Sequence, residues 1–271
     1  MNPTTTSVQE KIAVSGAKRW LLMSFPPLLL LAFLLLPWPL MEKLRAIGRT
    51  VCMLRPSHSY FLAGEQLPLE ARTTGMYAGF LIALGYFLII GRGRAAHFPP
   101  KWLTAVLVGF VAVMGFDGLN STASDLGLPH LYAPGNPLRL ITGLLTGVAM
   151  GSFILPLVNT TLWEETRPRA VLGSLKDLGG LLVIELLFFL GVVSGIPWLL
   201  YLVSFVTAGG VVAVFFTLTL AIIGSLARSW NKIRQGWNLL LFVDLALLLT
   251  VAELGLLMAF MLWVRQCLIQ G

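Results

Sequence analysis

Charge is scarce in this chain: only 11% of its 271 residues are Asp, Glu, Lys or Arg, while 57% are hydrophobic. A soluble domain carries roughly 25% charged residues, so a chain that faces water all round is excluded. Mean hydropathy is +0.84. Apolar runs of about 20 residues, long enough to cross a hydrocarbon core of about 30 Å as helix, recur along the length and leave no room for a separate soluble domain. Cysteine is nearly absent as well. Cys52 and Cys267 are the only two, with no CxxC, which rules out a disulfide framework or a zinc ribbon. The three histidines, His58, His97 and His130, fall between the apolar runs, so no span carries a haem-binding His pair. A Walker loop, HExxH, GxSxG and a dinucleotide fingerprint are all missing, and with them every standard enzyme motif. The net charge of +7 is spread as short clusters between apolar runs. That is the pattern of topology signals, and no nucleic-acid partner is expected.

What is present reads as an all-α, polytopic membrane bundle. Seven spans are expected, over 20–40, 74–90, 102–119, 138–158, 178–198, 199–225 and 238–264. All eight tryptophans (20, 38, 102, 163, 198, 230, 237 and 263) fall within a few residues of a span end, where an amphipathic ring prefers to sit. With the N-terminus inside, the inner segments hold Lys11, Lys18, Arg19, Arg92, Arg94, Lys101, Arg167, Arg169, Lys176, Arg228, Lys232 and Arg234, twelve of the 19 basic residues. The outer segments hold Lys43, Arg45, Arg49, Arg55, Arg72, Arg139 and Arg265. The positive-inside rule then gives N-in and C-out across the cell membrane. The first span lacks a small-x-small cleavage site after its apolar run and reads as an uncleaved anchor, with Pro26–Pro27 expected to kink it. After it, Met41, Leu44, Ile47, Val51 and Leu54 recur at helical spacing around Lys43, Arg45 and Arg49, which suits a short helix in the outer interface.

That helix leads into residues 51–79, VCMLRPSHSYFLAGEQLPLEARTTGMYAG, a polar segment punctuated by Pro and Gly between two apolar runs. The segment resembles a family of predicted bacterial and archaeal membrane proteins, domain of unknown function 2085. The family pattern runs C-H-x-x-P-x-R-S-F-F, then G-x-Q-x-P-L-C-A-R-C-T-G-x-Y-x-G, then D-G, then N-x-x-R-x-x-T-G-x-x-x-G. Cys52, Pro56, Ser59, Phe61, Gly64, Gln66, Pro68, Leu69, Ala71, Arg72, Thr74, Gly75, Tyr77 and Gly79 match it in register. So do Asp117, Gly118, Asn136, Arg139, Thr142, Gly143 and Gly147. The resemblance covers about 45–159 and leaves the last three spans outside it. It suggests three parts: 1–44, a tail and first anchor; 45–159, a family-like core; and 160–271, a three-span extension.

The departures bear on function. Met53 stands where the pattern has His, Glu70 and Thr73 where it has the two Cys of C-A-R-C, and His58 where it has Arg. Three Cys and one His are the ligand types of a tetrahedral zinc or a redox-iron centre. Of those four only Cys52 survives here, so the resemblance implies a degenerate site. A rebuilt metal site of Cys52, His58 and Glu70, holding zinc or iron, is the minority alternative.

Arg72, Asp117 and Arg139 all stand at the outer ends of spans two to four. An unpaired charge near lipid is costly, so they are expected to pair as a clasp; an outer pocket for an anion or carboxylate ligand, lined by these residues with Glu70 and His58, is the functional alternative. Gly143, Gly147 and Gly151 make successive GxxxG steps in span four, and Gly75 and Gly79 do the same in span two. Such spacing lets helix backbones approach closely. Both spans also open alike, RTTGMYAG and RLITGLLTG, a weak hint of an internal repeat.

Glu185 and Glu253 fall near mid-membrane, where an ionised side chain costs roughly 2.5–3.5 kcal/mol on insertion scales. Either a proton path or a protonated carboxyl bonded to a neighbouring helix or partner accounts for them. Asp244 lies nine residues before Glu253, about half a turn away in angle, so the two do not share a face. The leading expectation is a non-enzymatic scaffold or accessory subunit in contact with lipid, with a membrane-protein partner or a second copy packing on its small-residue faces. A transporter or small-molecule binder, and a metalloenzyme using the rebuilt site, are the alternatives. On this topology Cys52 and Cys267 lie on the same oxidising side, and a disulfide between them is a further expectation.

Overall fold

The computed structural model describes residues 16–163, 165–227 and 236–270. Lys11, Arg228, Trp230, Lys232 and Arg234 lie outside the described residues, as do the side chains of Lys18, Arg19, Trp20 and Trp237. The chain forms α1 (Gly16–Leu35), α2 (Leu40–Arg49), α3 (Ala71–Ile89), α4 (Lys101–Asp125), α5 (Asn136–Leu162), α6 (Leu175–Val193), α7 (Leu199–Ala227) and α8 (Gly236–Gln270). It is an all-α membrane bundle. Among the described residues five helices, α3, α4, α5, α7 and α8, are long and apolar enough to cross a membrane, and α1 with α2 makes a sixth if the bent pair is one span. The expected fifth span corresponds to α6, which at 19 residues is as long as α3 but carries Lys176, Asp177 and Glu185. The seven expected spans thus reduce to five or six by length and composition, with α6 running beside them.

The sharp turn near the N-terminus is not at Pro26–Pro27, which α1 accommodates within its length. It falls after Leu35, where α1 and α2 meet at 113°, because Pro37 and Pro39, with only Trp38 between them, both lack a backbone donor. Nor does α2 lie free in the interface. It packs on β2 and α7 and buries Met41, Lys43, Leu44 and Gly48. The Lys43 ammonium donates to the Leu34 carbonyl at 2.6 Å and sits over the Phe33 ring, two partners that make its burial tolerable.

The core is the α3–α5–α7 triad, with α4 laid against α5 and α8 against α7. Glycine makes the close contacts. A Cβ at Gly147 would stand 2.5 Å from the Met76 carbonyl oxygen, and one at Gly79 would stand 2.6 Å from that of Leu144. Gly75 and Gly143 face the carbonyls of Leu140 and Arg72 in the same way, and Gly151 faces Ala83. Gly210 of α7 lies against the Tyr77 carbonyl of α3, so α7 enters the core by the same device although no GxxxG spacing marks it.

Two small sheets hold the ends. β1 (Ser59–Leu62) and β2 (Glu65–Glu70) form an antiparallel hairpin between α2 and α3. Its two-residue turn, Ala63–Gly64, has φ of 51° and 78°, the left-handed pair a tight hairpin requires. At the opposite end β3 (Ala95–His97) and β4 (Arg167–Ala170) pair in parallel. They join the α3–α4 and α5–α6 connections.

Candidate functional site

The segment after α2 is gathered at one end of the bundle, hereafter the motif end, where α3 and α5 begin and α4 finishes. The chain passes from α2 through a single turn at Pro56–His58 into the hairpin, and β2 delivers Glu70 directly to the N-cap of α3. Gln66 stitches the segment to itself: its amide donates to the Leu54 carbonyl at 3.0 Å and to Ser59 Oγ at 2.9 Å. Arg265 of α8 donates to the Met53 carbonyl at 2.6 Å.

Positions 52, 70 and 73 come together. The buried Cys52 sulfur accepts the Glu70 backbone N–H at 3.4 Å and the Thr73 hydroxyl at 3.6 Å. Burial, and then the nearby Glu70 charge, push the thiol pKa up, away from the thiolate form that reacts and binds metal. Cys52 and Cys267 are both free, one buried and the other exposed, so the expected disulfide is not formed.

Glu70 turns its carboxylate away from the sulfur and toward Arg55. The Arg55 backbone N–H donates to Oε1 at 2.9 Å, and its guanidinium reaches Oε1 and Oε2 at 3.3 Å each. Burial alone would raise the Glu70 pKa, but the Arg55 bonds outweigh it and hold the carboxyl below its ordinary value. The same guanidinium donates to Asp125 Oδ2, at the end of α4, at 3.0 Å. His58 is buried between these two acids, Nδ1 3.7 Å from Glu70 and Nε2 3.3 Å from Asp125. Its pKa is lowered all the same: burial disfavours the imidazolium, and the charges of Arg139 and Arg55 add to that against the pull of Asp125 and Glu70.

The rebuilt metal site does not assemble. Among the described residues no group of three His, Cys, Asp or Glu side chains is placed to hold a metal ion. A guanidinium occupies the Glu70 carboxylate and His58 faces two acids rather than the Cys52 sulfur, so the three side chains do not converge as a ligand set.

A second cluster ties α3, α4 and α5. Arg72 donates to Asp117 Oδ2 at 2.6 Å, and the Tyr132 hydroxyl donates to Oδ1 at 2.8 Å. Asp117 is 1% exposed. The expected clasp is corrected at its third member: Arg139 does not reach Asp117. Its Nε and Nη2 donate to Ser121 Oγ at 3.2 and 2.8 Å, and its Nη1 donates to Asn136 Oδ1 at 3.0 Å. Asn136 in turn donates to the carbonyls of Ser57 and Ser59, and Asn120 pins the α4–α5 connection through Leu131 and Tyr132.

The intramembrane carboxyls are not gathered into one path. Glu185 is buried on α6 and Asp244 on α8, and among the described residues no partner bonds the carboxyl oxygens of either. Glu253 is met by the Thr219 hydroxyl of α7 at 2.9 Å.

The polar network makes stability sensitive to acid. Because the His58 pKa is lowered in the folded state, the protein binds fewer protons there than when unfolded, so stability is full above the ordinary value of 6.5 and falls as pH drops below it. Melting temperature measured from pH 7.5 to 5 is expected to fall. His58→Gln is expected to flatten that part of the profile; an unchanged slope in the variant would remove His58 as its origin.

Comparison with known proteins agrees with the motif segment. Residues 52–153 match the family model described as Predicted membrane protein (DUF2085). An uncharacterized protein of Methanocaldococcus jannaschii (MJ1492) is 29% identical over 122 residues, covering 45% of this chain and 72% of the relative. No solved structure matches the chain significantly.

Proposed function

We propose, for a chain whose residues 52–153 match a family of predicted membrane proteins, a non-enzymatic role as a membrane scaffold or accessory subunit. One observation carries the reading: Cys52, Arg55 and Glu70 of the motif segment are committed to joining elements. Glu70 and Asp125 share Arg55, the Cys52 thiol takes bonds from the start of α3, and Arg265 anchors α8 to the same segment. A side chain held by its own protein is a poor catalyst, since binding a substrate would first break that bond. The surface available to a partner is apolar. α4, α6 and α8 carry exposed large side chains such as Val108, Leu187 and Leu256 along their length, suited to lipid or to another membrane helix.

The motif end is assigned to the extracytoplasmic side and the N-terminus to the cytoplasm, on the excess of Lys and Arg in the opposite segments. Intact cells treated with a membrane-impermeant thiol reagent, followed by affinity isolation of the full chain, test both parts. Label at Cys267, which is exposed, and a membrane protein recovered in fixed ratio are expected. An unlabelled Cys267 would reverse the orientation. A chain isolated alone with one zinc or iron per molecule would replace the scaffold with a metalloprotein.

A further inference from the structure

Arg139 is the one arginine buried outright among the described residues, 5% exposed, and its partners are the wrong kind for a buried cation. Arg45, Arg49, Arg55 and Arg72 each reach a carboxylate. Arg139 reaches none: its bonds go to a serine hydroxyl and a side-chain amide. Neutral acceptors leave a guanidinium's charge uncompensated at contact, which is costly away from water. Asp117 and Asp125 act on it only at a distance, since the first is engaged by Arg72 and Tyr132 and the second by Arg55.

Two further groups around Arg139 have a donor left unused among the described residues. Arg72 Nε is buried and unbonded, although its Nη2 holds Asp117. Ser121 Oγ, also buried, accepts two N–H bonds from Arg139 and donates none among the described residues, so its proton is free. Arg72 and Arg139 thus come from α3 and α5 to one stretch of α4, with Asp117 and Ser121 a helical turn apart. Arg139 itself has five N–H groups, and one on each Nη is still available. The unspent groups here are all donors.

We propose that this cluster is an oxyanion site for a phosphate group, held by the free N–H groups of Arg139, Nε of Arg72 and the Ser121 hydroxyl. Donors arriving from three helices suit an anion with three or more acceptor oxygens better than the two of a carboxylate. A free phosphate and the phosphomonoester head of a lipid share this chemistry. The site goes beyond the scaffold reading, which stands or falls on partner recovery instead.

The full chain in a maltoside detergent, which contains no phosphate, provides the test. Melting temperature is followed as inorganic phosphate, or phosphatidic acid, is titrated at constant ionic strength. Saturable stabilisation is expected. Ser121→Asp places a carboxylate beside Arg139, so it is expected to raise the melting temperature without phosphate and to weaken the phosphate response about tenfold or more. Arg49→Gln, on the exposed side of α2, is expected to keep the response. A response to inorganic phosphate assigns a free anion, and a response to phosphatidic acid alone assigns a lipid head. No response to either, or an equal one in Ser121→Asp, overturns the site. Arg139→Gln is expected to lose the response; if it fails to fold, Ser121→Asp decides alone.

Discussion

Gly147→Leu is expected to abolish recovery of folded protein. The reason lies in backbone separation rather than in the residue's own burial. Even a single Cβ at this position would meet Phe80 N and the Met76 carbonyl oxygen at 2.5 Å, and both are backbone atoms that no rotamer change can move. The helices would have to part, and Gly143 and Gly79, which face the same contact, would part with them. Overpacking a core by a few methylenes costs typically about 1–3 kcal/mol, occasionally more; here a whole helix pair shifts, so the upper end applies. Gly85, with nothing within 4 Å of its Cβ position, provides the control on α3, and Gly85→Ala is expected to be silent. Size-exclusion profiles of the two variants in detergent check the pair. Normal folding of Gly147→Leu would mean that α3 and α5 are not in backbone contact.

The glycine faces were legible because i, i+4 spacing is a property of one helix, readable without knowing its neighbour. Span positions were legible for the same reason, since a run of apolar residues announces itself. Gly210 was not, because a lone glycine opposite a carbonyl leaves no period. The charge network was legible only in part. Position along a helix gives membrane depth, so Arg72, Asp117 and Arg139 could be set at one level from sequence. Rotation about the axis, which decides that Asp117 turns to Arg72 while Arg139 turns to Ser121, depends on packing.

Asp125 was missed because the polar stretch NSTASD reads as a loop after an apolar span, whereas α4 runs on to Asp125. It continues because Asn120 and Ser121 find partners on the α4–α5 connection and on Arg139. The Arg55–Asp125 pair spans 70 residues, a separation no local pattern encodes. The strand pair β3–β4 was hidden for a related reason: AAH and RPRA are too short to alternate, and the second contains proline. In the motif segment, the departures at Met53, His58, Glu70 and Thr73 were legible, but the arginine that spans Glu70 and Asp125 required the fold.

Asp117→Ala is expected to destabilise the protein by about 3 kcal/mol or more, the range for removing one partner of a buried ion pair. Asp117 is almost wholly buried and accepts from both Arg72 and Tyr132. Its loss leaves a guanidinium whose Nε already lacks a partner, and it frees the hydroxyl that fastens the α4–α5 connection. Asp117→Asn keeps the volume and one acceptor oxygen but no charge, so it is expected to fall between wild type and Ala. The informative comparison is the double variant Arg72→Met, Asp117→Leu. If the pair acts through the cost of leaving one charge alone, removing both is expected to recover most of the stability lost in Asp117→Ala, because apolar replacement of a whole buried pair is often near neutral. If the double variant is as unstable as the sum of its singles, the pair is not an interacting unit, and the loss in Asp117→Ala comes from the Tyr132 bond that fastens the α4–α5 connection to α4 rather than from the ion pair. Denaturant or thermal unfolding of wild type, these variants and the singles Arg72→Met and Asp117→Leu in one detergent distinguishes the two outcomes.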